Sequence, residues 1–540
     1  MLVVISPVSA YNPLWMILHV TILPFLTRLG FGSSSIFKLT NPSWNFYDRY
    51  RMHQKYGKVF AHATPSNIEI FVADAASSYE VLARKKDFGK PMHFVEIINI
   101  FGPTVASTDG PDWYRHRRIT ATPFNERNNA IVWRESVKQA TQMLSYFKTT
   151  VGTAGSTGLG DDTMTLTLHI LTSAGLGFSY DFRGSQEQRN HNEVSNAGHI
   201  LSYRDFLAAV LENFVVMQLL PKKIFSLPWL PQKLKEFLLY KGELKRYLTD
   251  MVEKTRYEGS RESNLLSVLV QRSEEARQLK GSTAEGAGVK QGLSDNELYG
   301  NLFVYSFAGH ETTAHAICYA IYFLAAYPEV QDWVSEEVNA VFRSVEDPEV
   351  LSYELFPQLR RTLSVMYETL RLFPPLLNIP KTTGALPQDL RVPSANLTAA
   401  LPAEAMVFPN VAALQSHPDY WGPNSLDWKP ARWIEKGPEG AAEELEGLGE
   451  SMRAPVKGSF LPWGDGPRVC PGRKFSQVEF VAVVASVLWR HRIEVVPDAA
   501  AGEGFAEAKA RILDVMGDVA EGSTLFMKHP ERVRVRVVER

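Results

Sequence analysis

Residues 294–326 constrain this chain more than any other stretch. Ser294-Asp-Asn-Glu297 reads as a capping box, in which the serine hydroxyl takes a backbone N–H three residues on while the glutamate reaches back. The helix it starts runs to about Ala326 and is apolar nearly all round. Such a helix must be deeply buried. A chain of 540 residues, 45% hydrophobic and 21% charged, can build the core that burial needs. Two residues sit badly in this helix. Gly309 costs about 1 kcal/mol in a helix interior, and Glu311 puts a carboxylate among apolar neighbours. Local conflicts of this kind often mark function. A kink satisfied by threonine back-bonding is the structural alternative. Cys318, two turns on, reads as core.

Cysteine and charge exclude several classes. Only Cys318 and Cys470 occur, so there is no disulfide framework and no cysteine cluster for zinc or iron–sulfur; a reducing, cytosol-facing compartment follows. With 57 basic and 59 acidic residues, a net charge of −2, no global field recruits nucleic acid. Cys470 closes a glycine-rich turn, Phe460-Leu-Pro-Trp-Gly-Asp-Gly-Pro-Arg-Val-Cys-Pro-Gly472. A helical pattern of Phe475, Val478, Ala482, Ala485 and Trp489 follows. Gly464, Gly466 and Gly472 permit conformations a Cβ would block and close approach of a flat ligand. Pro471 suits the first turn of the helix. A cysteine just ahead of a helix feels the positive end of its dipole and unpaired N–H groups, which favour thiolate. That is what an axial iron ligand needs; a buried structural cysteine is the plainer reading.

Three further strings carry charge in company. Trp113 and Arg117, within residues 109–118, are four apart and share a helix face, whether as a solvated basic helix start or as a carboxylate-binding face. Glu368 and Arg371 are an i, i+3 pair among apolar neighbours, where a lone charge would be expensive. Arg432, in Pro430-Ala-Arg-Trp433, is available as a third partner.

In this order the strings Trp-x-x-x-Arg, Ala308-Gly-His-Glu-Thr-Thr313, Glu-x-x-Arg, Pro-x-Arg-Trp and the cysteine loop resemble the cytochrome P-450 monooxygenases. The loop of that superfamily is normally Phe-x-x-Gly-x-Arg-x-Cys-x-Gly, and Trp463 here replaces the phenylalanine. The resemblance spans roughly residues 109–480 and implies the cytochrome P-450 fold, mainly α with a small β region, as a single haem-thiolate domain. It implies haem b on the Cys470 thiolate under an aromatic shield from Trp463, with propionates met by Arg468, Trp113, Arg117 and Lys381. It gives Thr312 the oxygen or its water, Glu311 a part in proton delivery, and Glu368, Arg371 and Arg432 a scaffold role behind the thiolate. Phe94, Ile98, Phe101, Val304, Phe307, Ala308 and Ile379 would line a pocket for a small, largely apolar substrate in specialised metabolism. O2 is the co-substrate. No flavin or nicotinamide fingerprint occurs, so electrons from NADPH would arrive through a membrane-bound reductase, with cytochrome b5 as a further partner. Arg115, Arg118, Arg473 and Lys474 would form the docking face. A haem-thiolate isomerase or dehydratase needing no O2, and a non-catalytic haem sensor, are the rival classes.

Residues 1–27 contain no Asp, Glu, Lys or Arg, and residues 14–26 are strongly apolar. A basic start and a small-residue cleavage site, which a cleaved signal would want, are not clear. The length just reaches the ~20 residues a span requires, although Pro7, Pro13, His19 and Pro24 weaken it. Residues 1–27 are therefore read as a membrane anchor, spanning or shallow, ahead of a catalytic domain over residues 28–540. Arg28, Lys38, Arg49 and Arg51 follow, putting that domain on the cytosolic side, at the endoplasmic reticulum membrane as in microsomal relatives.

Elsewhere, residues 59–61 and 68–72 predict strands, and 125–147 and 163–177 predict helices. Residues 87–110 form a long apolar connection. Residues 219–235, apolar and basic together, fit either a proline-punctuated core loop or a segment dipping into lipid headgroups. Residues 273–292 suggest a flexible connection, 376–380 a strand beside the pocket, 435–450 a disordered acidic insertion, and 524–540 a terminal hairpin strand.

Overall fold

The Ser294 capping box forms, and the helix behind it, Asp295–Ala326, is the axis on which the other helices pack. The structure, a computed structural model, describes residues 1–185, 203, 206–207, 209–210, 232–258, 264–282, 292–347, 350–436 and 449–540. One large apolar cluster surrounds the C-terminal half of the long helix and draws on helices Glu126–Tyr146, Leu159–Leu171, Arg360–Leu372 and Arg473–Leu488. A second surrounds its N-terminal half, with Gln232–Glu258 and Leu265–Ser282. Both halves are packed on most sides, as a helix apolar nearly all round requires.

Beside this helical body lies a five-stranded sheet in the order Leu2–Ile5, Val59–Ala63, Ile68–Val72, Met406–Pro409, Lys381–Thr382. The two predicted strands near residue 60 are its centre. The last predicted segment resolves into two strands: Leu525–Met527 pairs with Val519–Glu521, and Val535–Glu539 with His491–Val495. The predicted helices start at Glu126 and Leu159, and each closes in a π turn, Phe147–Val151 and Thr172–Leu176.

Several expectations are corrected. Residues 376–380 do not make a strand; pairing begins at Lys381, after a bridge from Asn378 to Asn410, because prolines at 374, 375 and 380 cannot donate to a ladder. The presumed flexible connection from 273 is helical to Ser282, and Ser273 is fully buried. Its remainder, 283–291, and the core of the acidic insertion, 437–448, lie outside the described residues; the insertion's flanks pair as Ile434–Lys436 with Glu450–Met452. Of residues 219–235 only the start of a helix at Gln232 is described.

Residues 1–27 are not one continuous helix. Leu2–Ile5 adds a parallel edge strand to Val59–Ala63, where it is tied down by polar groups. Ser6 Oγ lies 2.6 Å from His62 Nε2, His62 Nδ1 lies 2.8 Å from Glu69 Oε2, and Ser9 Oγ donates to Glu69 Oε1. The helix that follows, Pro13–Arg28, has 16 residues and Pro24 inside it. At ~1.5 Å per residue it reaches about 24 Å, short of a ~30 Å hydrocarbon core. Among the described residues no helix is long and apolar enough to cross a membrane.

Candidate active site

The cysteine loop is a tight turn ahead of helix Arg473–Leu488. Cys470 N donates to Trp463 O at 2.9 Å, closing the loop on itself. Gly466 has φ 69°, and a Cβ there would meet Leu82 O at 2.6 Å, so this glycine is required twice over. Gly472 caps the helix, which starts at Arg473, so Pro471 lies just ahead of its first turn rather than in it. Cys470 is exposed, yet burial pushes its thiol up, opposed by the Gly472 N–H and Arg117. The side chain is thus reachable by solvent while much of the chain lies around it.

One face of the long helix is open. Ala308 is exposed and Gly309, Thr312 and His315 are partly so, in a helix that is otherwise mostly buried. Gly309 has a packing reason: a Cβ would sit 3.1 Å from both methyls of Leu171, on the neighbouring helix. Thr312 Oγ1 donates back to Ala308 O at 3.0 Å. Burial raises Glu311, and hydroxyls of Thr524 and Ser523 oppose the rise.

Cations converge at the rim of the loop. Arg468 donates to Asp109 and to Thr108 O, and its guanidinium lies 4.4 Å from the Trp113 ring centre. Arg117 Nη2 donates to Val469 O at 2.9 Å. Burial, then the Arg468 and Lys381 charges, lower Lys90 to about 7. Burial and Arg468 lower Lys381 to about 8. Asp109 is the carboxylate that opposes both shifts. Arg468, Lys381 and Lys90 gather around the one Asp109 carboxylate, so positive charge outweighs negative at the rim, which suits the propionates of a haem. Burial pushes the Tyr305 hydroxyl up, Thr120 and Arg117 oppose the rise and Cys470 adds to it, which places this ring near the cysteine loop. A cysteine at the end of the loop, a surplus of positive charge at its rim and the required Gly466 fit a haem.

The scaffold residues meet as a buried knot. Glu368 and Arg371, both fully buried, pair through two bonds of 2.8 and 2.9 Å. Glu368 also accepts from Arg432 Nε at 2.7 Å, Trp433 Nε1 at 2.9 Å and Lys429 N at 2.8 Å. Arg371 spends its remaining hydrogens on the Gln415, Ser425 and Asp427 carbonyls. Trp463 donates to Ser476 Oγ at 3.0 Å, with Arg473 over its ring.

The pocket residues are less united. Ile98, Phe101 and Phe307 pack on the second apolar cluster, and Val304 is closed inside it rather than open to a ligand. Ile379 lies beside Gly464 of the cysteine loop, while Phe94 meets the Tyr11 ring edge-on at 6.4 Å. A separate cavity of about 860 Å³, lined by Arg49, Phe373, Trp428 and Met516 among others, contains none of these residues. Within the expected docking face Arg118 and Arg473 are exposed and Lys474 is partly covered. Arg115 is not available: it is buried and bonded to Glu297 at 2.6 Å and Asp112 at 2.7 Å. Sequence reasoning missed Lys90, Tyr305, Ser523 and Thr524. Tyr305 alone left a signal, lying seven residues, two helical turns, before Thr312.

A sequence model of one family, described as Cytochrome P450, matches residues 34–503. The chain is 31% identical over 487 residues to the cytochrome P450 monooxygenase ORF6 of Penicillium roqueforti, covering 87% of this chain and 82% of the relative. It is 28% identical over 505 residues to the phomenoic acid biosynthesis cluster cytochrome P450 monooxygenase of Leptosphaeria maculans, covering 87% and 81%. In fold it resembles the crystal structure of the cytochrome P450DA heme domain, with a TM-score of 0.69 at 18% identity, covering 100% and 98%.

Proposed function

The chain belongs to the cytochrome P450 family, and from that premise we propose that it inserts one atom of dioxygen into a largely apolar organic substrate of specialised metabolism, with haem b on Cys470. Family membership brings a monooxygenase that uses haem, dioxygen and electrons from a reductase. The observation that carries the finer reading is the setting of Cys470: an exposed cysteine just ahead of a helix, in a loop whose rim carries more positive than negative charge. When bound there, haem supplies the oxygen chemistry, and a thiolate ligand favours O–O cleavage.

The chain's own residues supply the rest. Arg117, Arg468, Lys381 and Lys90 would hold the propionates, with Trp113 flanking Arg468. Trp463 would shield the sulfur. Glu311, with Thr312 beside it on the open helix face, would hold a proton for delivery. These two groups would be idle in an isomerase that needs no dioxygen, which favours the oxygenase. The substrate class is supported by the relative named for a biosynthesis cluster and by the partly buried apolar side chains of Ile98, Phe101 and Phe307.

The electron donor in this proposal is a membrane-bound NADPH reductase, docking at the exposed Arg118 and Arg473, with cytochrome b5 as an alternative donor. The site is the cytosolic face of the endoplasmic reticulum, with helix Pro13–Arg28 lying in the membrane surface. Leu14, Ile17, Leu18, Val20 and Phe25 all project from that helix into solvent, an apolar patch suited to a headgroup boundary. A ferrous–carbon monoxide spectrum of the recombinant protein tests the central reading. Thiolate ligation, lost in Cys470→Ala, is expected; nitrogen ligation, or no haem uptake, overturns it.

A further inference from the structure

The acid of the long helix is held from outside that helix. Ser523 Oγ donates to both Glu311 carboxyl oxygens, at 2.9 and 3.0 Å, and Thr524 Oγ1 donates to Oε1 at 2.7 Å. Both hydroxyls belong to the tip of the hairpin Val519–Glu521/Leu525–Met527. That hairpin is braced: Tyr47 Oη donates to Val519 O at 2.7 Å, Glu521 N donates to Ser43 Oγ at 3.1 Å, and Leu525 N donates to Pro375 O at 2.9 Å. A tip fixed at three points imposes its position on whatever it binds. Glu311 and Thr524 are 9% and 3% exposed, so water competes weakly for these bonds.

The chain of bonds extends one group further. Thr524 Oγ1 lies 3.2 Å from His315 Nδ1, one turn beyond Glu311 on the same helix. A hydroxyl has one hydrogen. With Glu311 ionised, Thr524 spends that hydrogen on the carboxylate and accepts from His315, which fixes the Nδ1–H tautomer. Burial and the neighbouring His310 lower His315 to about 4, so the ring is neutral at ordinary pH. The other titratable groups near this chain are His310 on the same helix, Glu521 on the hairpin, and Glu479, which reaches Thr313 from helix Arg473–Leu488.

We propose that Ser523 and Thr524 are positioning residues for Glu311, and that His315, by donating to Thr524, sets the direction of the hydrogen-bond chain that ends on the acid. This rests on the monooxygenase reading for its purpose, but its geometry is independent of it. Hydroxyl donors stabilise the ionised carboxyl, so their removal raises its protonation midpoint.

The test is an infrared titration of the full chain as purified, without turnover, following the carboxyl band that disappears in Glu311→Gln. Thr524→Val should raise the midpoint by about one pH unit, roughly tenfold in the protonation constant. Ser523→Ala should raise it less, and Thr524→Ser should restore the parent value. Nitrogen NMR of labelled His315 should show the Nδ1–H tautomer in the parent and its loss in Thr524→Val. An unmoved midpoint in Thr524→Val, or no rescue by Thr524→Ser, overturns the proposal. Because no reaction is measured, a wrong oxygenase reading would show as an absence of NADPH-coupled oxygen consumption and leave this titration unaffected.

Discussion

Glu368 accepts bonds from Arg371, Arg432, Trp433 and Lys429 while fully buried. A change to alanine strands two arginines, one of them with no exposed surface. Breaking a buried pair from one side costs about 3–5 kcal/mol, so Glu368→Ala should lower the denaturant midpoint sharply, while Glu368→Gln, which keeps acceptor oxygen, should lose less. Gly466 presents a different constraint. Alanine there would be strained at φ 69° and would collide with Leu82 O. Gly466→Ala should therefore open the cysteine loop and reduce the haem retained on purification, with about 1–3 kcal/mol of strain to relieve. Both positions were legible in the sequence because their partners are close in the chain or fixed by a motif. Lys90 and Thr524 were not: Thr524 meets Glu311 from 213 residues away, Lys90 meets Asp109 across a loop 19 residues long, and neither sits in a pattern with a period.

The N-terminal segment shows the same limit for whole elements. An uncharged, apolar run fits a strand, a surface helix and a membrane anchor alike, since composition is common to all three. What separates them is pairing with Val59–Ala63 and the Ser6–His62–Glu69–Ser9 network, which begins 56 residues further on. By contrast, the helix Asp295–Ala326 announced itself, because its cap is local and its apolar surface leaves a single solution. His62→Phe should leave Leu2–Ile5 without its polar tether. Hydrogen exchange should then show lost protection in that strand while the long helix keeps its own; equal loss in both would mean that the network supports the whole domain. The docking expectation was altered at this scale too. Arg115 looked like a surface cation beside Arg118, yet the helix Gly110–Thr120 turns it inward to Glu297. Reversing Arg118 and Arg473 should slow reduction by the reductase and flatten its salt dependence, whereas reversing Arg115 should destabilise the fold.

Across the whole molecule, the cation excess links haem uptake to protons. Lys90 at about 7 and Lys381 at about 8 both lie below the ordinary 10.5 of lysine. Between those values and 10.5 the unfolded chain binds more protons than the haem-free fold, so that fold gains stability as pH rises through this window. Propionates would reverse the shift by pairing with the ammonium groups. The Cys470 thiol, pushed up by burial, gives up a proton when it ligates iron, so the lysine part is read as a difference: at pH 8–9 haemin should release more protons, or draw fewer, in Lys381→Met than in the parent, and equal values would exclude Lys381 from the propionate site. Lys381 also closes the sheet that Leu2–Ile5 opens. A shortened version cut before Pro13 to improve handling would strip the covering from the edge of Val59–Ala63 and bare its row of backbone donors and acceptors, a template for chain-to-chain stacking. The customary trim would then yield a stickier enzyme, not a better-behaved one.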